Sequence, residues 1–177
     1  MKNNKKIKLG KLNFYIIEDD YINYLSQYDK HIAYNKNSKR PYVGVVIIVD
    51  GHYYFAPLFS PKPKHQTYKD NLTFFKIVSN KTKKNLGIIR FSDMIPTPLN
   101  CLSMLDIQNK SYGYRRLLSE QYSYINMREN KQKILDKSKK LYDIVTRTTN
   151  NGKMAKFYRS LSCDFKLLEQ KSIEYII

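Results

Sequence analysis

Between Ser60 and His65 the chain reads Ser-Pro-Lys-Pro-Lys-His, which puts a hydroxyl, two ammonium groups and an imidazole within one short segment. Tyr21, Arg40 and His52 add a phenol, a guanidinium and a second imidazole from the neighbouring sequence. These types suit a reaction that asks for no metal, the cleavage of RNA by its own 2′-hydroxyl. A protein catalysing it must help remove that proton, offset the charge growing on the phosphorane and assist the leaving 5′-oxygen. Each residue also has a purely structural reading. Tyr21 fits a helix core, Arg40 a phosphate or carboxylate contact, His52 a turn flank, Ser60 a cap or turn, and Lys62 an exposed lysine.

The element that must position this segment is a hairpin. Val43, Val45, Val46, Ile47, Ile48 and Val49 are β-branched, Asp50-Gly51 accepts the positive φ of a two-residue turn, and Tyr53, Tyr54 and Phe55 suit a returning strand. Pro61 and Pro63 then end strand pairing, because proline has no backbone donor, and leave Ser60 and Lys62 at a rigid sheet edge. His52 falls at the opposite end, about 25 Å away at ~3.3 Å per residue. An acid–base pair made of His52 and His65 is therefore disfavoured.

Charge narrows the partner class. Thirty-two Lys and Arg against 15 Asp and Glu leave +17 at pH 7, a field that attracts polyanions and gains from counterion release on nucleic acid. The segment from Pro61 to Arg90 carries eight of these cations against the single acid Asp70. Acids are too sparse near the cationic segments for the carboxylate cluster of a divalent-metal nuclease. The phosphate-loop, dinucleotide-loop, H-E-x-x-H and G-x-S-x-G patterns are all missing, and the three histidines lack metal-ligand spacing, so no cofactor is implied. Cys101 and Cys163 read as small buried hydrophobes of a reducing compartment. No apolar run approaches the ~18 residues of a membrane span, which points to a cytoplasmic protein.

Around the hairpin the chain orders itself as strands first and helices later, an α+β arrangement in one domain. Residues 1–11 read as a basic, mobile arm and residues 12–177 as the domain. Leu12 to Ile17 reads as a strand. Asp19-Asp20 opens a short helix with Tyr21, Tyr24, Leu25 and Tyr28 on one stripe. The polar stretch from Asp29 to Lys39 is a loop placed to lie over a site. Asn71–Ser79 and Leu86–Phe91 give two more strands. Tyr114, Leu117, Leu118, Tyr122 and Ile125, then Ile134, Leu135, Leu141, Tyr142 and Val145, mark two helical stretches, continuous or bent near Asn130. Phe157, Leu161, Phe165 and Leu168 give a last stripe, followed by an apolar tail expected to dock. The predicted architecture is a twisted, largely antiparallel sheet with helices packed on one side.

Five segments carry a family resemblance: FYIIEDDYINYLSQYD from Phe14, RPYVGVVI from Arg40, GHYYFAPLFSPKPKH from Gly51, LGIIRFSDMIP from Leu86 and CDFKLLE from Cys163. In order and spacing they resemble the ToxN/AbiQ family, the endoribonuclease toxins of type III toxin–antitoxin and abortive-infection systems. The resemblance runs through nearly the whole chain from Leu12. It implies a fold related to the Kid/MazF toxins and metal-independent RNA cleavage leaving a 2′,3′-cyclic phosphate. It further implies cellular or phage RNA as substrate and inhibition by a tandem-repeat pseudoknot antitoxin RNA that the toxin trims, in closed heteromeric assemblies.

Carried across by motif, the resemblance implies that Ser60 and Lys62 position and polarise the scissile phosphate. Arg40 adds a second cation, and Tyr21 lends a hydroxyl or a stacking ring. Phe59 departs from the family, where threonine is frequent before the serine, so a hydroxyl is missing there. Arg40 stands where lysine also occurs, keeping the charge but changing the hydrogen-bond geometry. The remaining RNA contacts are expected from Lys36 and Lys39 before the hairpin and from Lys64, His65 and Lys69 after it. Lys83, Lys84, Arg115, Arg116 and Lys153 complete that basic surface. The competing class is a non-catalytic RNA-binding module, for which charge and tyrosines would suffice. A DNA-binding regulator lacks the short helix-turn-helix signature.

Overall fold

A computed structural model describes residues 10–147, 149 and 152–176. Most of the expected N-terminal arm, residues 1–9, lies outside the described residues, as do residues 148, 150 and 151 of the polar loop before Lys153. The chain becomes core at Leu12, which is 2 % exposed.

The central hairpin is present as predicted. Strand β2 (Tyr42–Val49) and β3 (His52–Phe59) pair antiparallel from Tyr42↔Pro57 to Val49↔His52. Asp50 and Gly51 both take positive φ, +48° and +81°, the mirror-image turn whose twist matches that of the strands. At the open end the Leu58 N–H donates to Pro41 O at 2.8 Å, which ties the start of β2 to the end of β3.

Five further strands complete the antiparallel sheet: β1 (Asn13–Ile17), β4 (Phe74–Val78), β5 (Asn85–Arg90), β6 (Ile95–Pro96) and β7 (Leu102–Met104). The strand order is β4-β5-β3-β2-β1-β7, with β6 pairing β3 off this path. Sequence reading missed β6 and β7, because two or three residues carry no periodicity to detect.

The helices are α1 (Asp19–Ser26), the single turn α2 (Lys64–Thr67), α3 (Tyr112–Ile125), α4 (Arg128–Thr146), α5 (Lys153–Leu161) and α6 (Phe165–Ile176). Leu118 and Ile125 of α3, Ile134 and Leu141 of α4 and Phe165 and Leu168 of α6 are all buried with the sheet residues Phe14, Val43, Phe55 and Ile89 in one core. Two expectations need correcting. Residues Tyr54 to Leu58 are buried without interruption, and successive strand residues face opposite ways, so β3 is covered on both faces and not on one. The last stripe is two helices broken at Ser162, with Phe157 and Leu161 exposed and Phe165 and Leu168 in the core. The tail docks through Tyr175, whose ring lies 5.0 Å from those of both Tyr21 and Tyr24.

Under the sheet a buried carboxylate organises polar groups. Glu169 accepts hydrogen bonds from the Tyr54 hydroxyl (2.9 Å), the Tyr142 hydroxyl (2.6 Å) and Lys166 Nζ (2.9 Å). Burial opposes its charge, but these donors outweigh it and hold the carboxyl below its usual value.

Candidate active site

The open end of the hairpin gathers the reactive residues. Phe59, the last residue of β3, has the Arg40 guanidinium over its ring at 4.2 Å and that of Arg90 at 5.1 Å. Phe59 thus holds two cations against its ring, each contact contributing about 0.5–2 kcal/mol. Arg90 also pairs with Asp93 at 3.0 Å. Asp93 is buried; desolvation lifts its pKa, while Arg90, the Ser92 hydroxyl, His31 and Arg40 oppose the rise.

Arg40 is only 5 % exposed. Its Nε donates to Tyr34 O at 2.6 Å, and its Nη1 is buried with no hydrogen-bond partner. Burial lowers its affinity for its proton, with Arg90 acting in the same direction and Tyr42 and Asp93 against it. The neighbouring Tyr42 hydroxyl is likewise buried without a partner, its pKa pushed up by burial. Ser60 follows β3, a central strand paired with β2 and β5, so the segment lies at a strand end and not at the sheet edge expected. The unpaired buried donors there are an unmet demand for an oxygen, each costing about 1–3 kcal/mol until it is met.

The loop before Arg40 is set by an unusual backbone. Lys36, Asn37 and Ser38 all lie in the left-handed region, with φ of 56°, 54° and 54°. Asp19 holds them there: its carboxylate accepts from Ser38 N (2.9 Å), Ser38 Oγ (2.7 Å) and Asn35 Nδ2 (2.8 Å), and its pKa is lowered, first by the Ser38 hydroxyl. Asn35 O in turn accepts from the backbone N–H of Lys39 and Arg40. The acid read as a helix opener is therefore the anchor of the loop that delivers Arg40.

Beyond Phe59, Ser60 and Lys62 are exposed, and the turn they occupy is locked by His65. His65 N donates to Lys62 O (2.9 Å), and Lys62 N donates to His65 Nδ1 (3.2 Å). Burial, then the charges of Lys64, Lys62, Arg90 and Lys76, lower the pKa of His65 from 6.5, so its ring is neutral at pH 7 and Nδ1 serves as acceptor. His65, expected as an RNA contact, is 3 % exposed and positions Lys62.

The structure brings together Arg40, Ser60, Lys62, Lys64 and His65 around Phe59, and it adds Arg90 and Asp93, which sequence reading did not single out. Lys36 and Lys39 are exposed on the anchored loop, Lys69 just past α2, and Lys83 and Lys84 on the β4–β5 turn. Arg116 pairs with Glu120 at 3.5 Å, Arg115 lies 5.9 Å from the Tyr112 ring, and Lys153 is exposed at the start of α5. Tyr21 is elsewhere. Its ring is fully buried and its hydroxyl donates to Pro96 O at 2.5 Å, opposite Tyr54 in the sheet. Six residue steps along β3 separate Tyr54 from Ser60, roughly 20 Å. The aromatic stripe that placed Tyr21 in a helix is the signature of core packing and reports nothing of a ligand. His52 sits at the turn end, as expected.

The antiparallel α+β fold thus presents, at the open end of its central hairpin, cations and a hydroxyl of the kinds that phosphate chemistry uses. The sequence specifies the family. The family model for "Toxin ToxN, type III toxin-antitoxin system" matches residues 13–172, and the chain belongs to that family. It is 32% identical over 167 residues to the endoribonuclease ToxN of Bacillus thuringiensis subsp. kurstaki, covering 92% of this chain and 83% of the relative. To the endoribonuclease ToxN of Pectobacterium atrosepticum it is 35% identical, covering 90% and 91%. Among solved structures it resembles a type III toxin described as selectively inhibited by a non-coding RNA pseudoknot (TM-score 0.84, 31% identity, 93% and 98% covered). It also resembles AbiQ, a lactococcal anti-phage endoribonuclease (TM-score 0.81, 29% identity, 94% and 98% covered).

Proposed function

We propose that this chain is the endoribonuclease toxin of a type III toxin–antitoxin system and that residues 12–177 form its single catalytic domain. Family membership supports the class, and one observation ties it to this molecule: the buried Arg40 guanidinium, with an unpartnered Nη1, stacked on the ring of the residue next to Ser60. A phosphate of RNA placed there meets Arg40 from below and Ser60 and Lys62 at the rim. As the 2′-hydroxyl attacks, negative charge builds on the non-bridging oxygens. Lys62 and Arg40 offset it, and the Ser60 hydroxyl donates to one oxygen, with groups fixed beforehand by the His65 turn and the Asp19 loop. The product of such an attack is a 2′,3′-cyclic phosphate. The inhibitor is an antitoxin RNA of tandem pseudoknot repeats, bound in a closed heteromeric assembly, and the site of action is the cytoplasm. No helix among the described residues is long and apolar enough to cross a membrane.

The test is incubation of the protein with end-labelled RNA in excess EDTA. Discrete fragments ending in cyclic phosphate, lost in Ser60→Ala and in Lys62→Ala while antitoxin RNA is still bound, are the expected result. Intact RNA held in a stable complex by the wild type would make the protein a binding module instead.

A further inference from the structure

A cavity of about 450 Å³ opens beside β4 and β5. Its walls include Tyr68, Lys69, Asn71, Thr73, Arg90 and Ser92, and Phe74 and Ile88 contribute apolar surface. That volume lies in the range of sites for small organic ligands, which pair an apolar wall with a few polar groups.

Two links join this cavity to the proposed catalytic segment. Arg90 belongs to both, lining the cavity while its guanidinium lies over Phe59. Tyr68 is the second link: its ring centroid is 5.5 Å from that of His65, whose Nδ1 holds the backbone of Lys62. A ligand against Tyr68 is therefore one side chain removed from the turn that carries the catalytic lysine.

The chemistry of the walls is that of a nucleotide seat. Tyr68 is half-buried in the cavity wall, its ring fixed by neighbours at 5.5 Å (His65) and 5.6 Å (Phe74), and an aromatic ring held in this way is the kind of group on which an unpaired base stacks. The exposed Lys69 and the 40 %-exposed Arg90 supply two cations for a phosphate. Asn71 accepts from the Thr73 N–H (2.8 Å) and Thr73 hydroxyl (2.6 Å) through its side-chain oxygen, and its Nδ2 donates to Lys69 O at 3.4 Å, which fixes the amide group and leaves its second N–H as donor toward a base edge. Neither an apolar metabolite nor a peptide would use this pairing of one ring with two cations as fully.

Resting on the endoribonuclease reading, we propose that this cavity holds one nucleotide of the substrate RNA next to the scissile phosphate. Its base stacks on Tyr68, its phosphate meets Lys69 and Arg90, and the cavity contributes to the choice of cleavage site. Tyr68 is then a specificity-determining residue that acts without touching the reacting atoms.

Two measurements test this on the full-length protein. In the first, uridine 3′-monophosphate and adenosine 3′-monophosphate are titrated in separate NMR experiments, with inorganic phosphate as control. At least one nucleotide should shift the signals of Tyr68, Asn71 and Thr73, and phosphate alone should not reproduce the change. In the second, short RNAs with one cleavage site and varied flanking bases are cleaved by variants. Tyr68→Ala should raise KM about tenfold, the loss expected for one stacked base, and flatten the preference at one flanking position, whereas Tyr68→Phe should restore both. Lys69→Glu, at an exposed position, should raise KM with an unchanged melting temperature, which keeps the test open if Tyr68→Ala fails to fold. Wild-type KM and base preference in Tyr68→Ala and Lys69→Glu, or shifts fully reproduced by phosphate, would overturn the proposal while leaving the endoribonuclease reading intact. An inactive wild type would overturn the endoribonuclease reading, and the nucleotide titration would still decide the cavity.

Discussion

Gly87 offers a way to move the proposed catalytic segment at Ser60 without touching a reactive group. It lies in β5 opposite the end of β3, with φ of +147°, a conformation open in practice to glycine alone. A Cβ built there would stand 2.6 Å from Phe59 O and 3.0 Å from Gln121 Nε2. Ordinary contact begins at 3.4 Å, so the Phe59 carbonyl, which is backbone and cannot rotate aside, would have to give by about 0.8 Å. That carbonyl is bonded to the nitrogen of Ser60, so the displacement passes directly into that segment. Backbone strain and crowding together should cost Gly87→Ala about 2–4 kcal/mol, or roughly 5–15 °C in melting temperature for a chain of this length. Because misplacement by about 1 Å can slow a reaction by 10²-fold, single-turnover cleavage in EDTA should fall roughly 10- to 100-fold with little change in RNA affinity. Gly51→Ala is the control. Its φ of +81° also penalises alanine, but nothing lies within 4 Å of the added carbon and it sits at the other end of the hairpin. It should lose stability, by about 1–2 kcal/mol, and keep its cleavage rate. Gly87→Ala cleaving at the wild-type rate despite a lower melting temperature would refute the assignment of the catalytic segment to Ser60.

Two further outcomes follow from titrating groups. His65 has a lowered pKa, so its neutral form belongs to the fold: the associated stability is complete above the unfolded value near 6.5 and is lost as pH falls through the lower folded value. Protonated Nδ1 cannot accept from Lys62 N, so kcat/KM measured from pH 5 to 8 should show an acid limb below pH 6.5, and that limb should vanish, at a lower plateau, in His65→Asn; persistence of the limb there would count against the turn as its origin. Glu169 also has a lowered pKa, and the stability it adds is present above its unfolded value near 4.5 and is lost as pH falls through the folded one. Glu169→Gln should therefore shift the urea midpoint at pH 7 by a stability loss of about 1–3 kcal/mol, and the gap to the wild type should close at pH 3.

The parts of this molecule that sequence made legible are those whose cause is local. Asp50-Gly51 is readable because the turn needs two positive-φ residues in succession, and the end of β3 because Pro61 and Pro63, two residues apart, follow it. The stripes of α3 and α4 follow from a period that adjacent residues impose. What stayed hidden depends on partners distant in the chain. Asp19 anchors Ser38 across nineteen positions, Arg90 reaches Phe59 across thirty-one, and nothing near either residue announces the contact. Tyr21 shows the reverse case, a visible pattern with two meanings, since a ring in a helical stripe reads alike whether it faces the core or a nucleotide. His65 was visible as a cation candidate, yet its work depends on a burial that only the folded turn provides.

The unpartnered donor on Arg40 links the life of the fold to its occupant. A buried guanidinium lacking one partner is a standing deficit, and whatever supplies an oxygen there binds the folded chain but not the unfolded one. Occupancy at a hundred times the dissociation constant adds about 2.7 kcal/mol to folding by mass action alone. An inhibitory RNA that fills this seat therefore preserves the protein it silences.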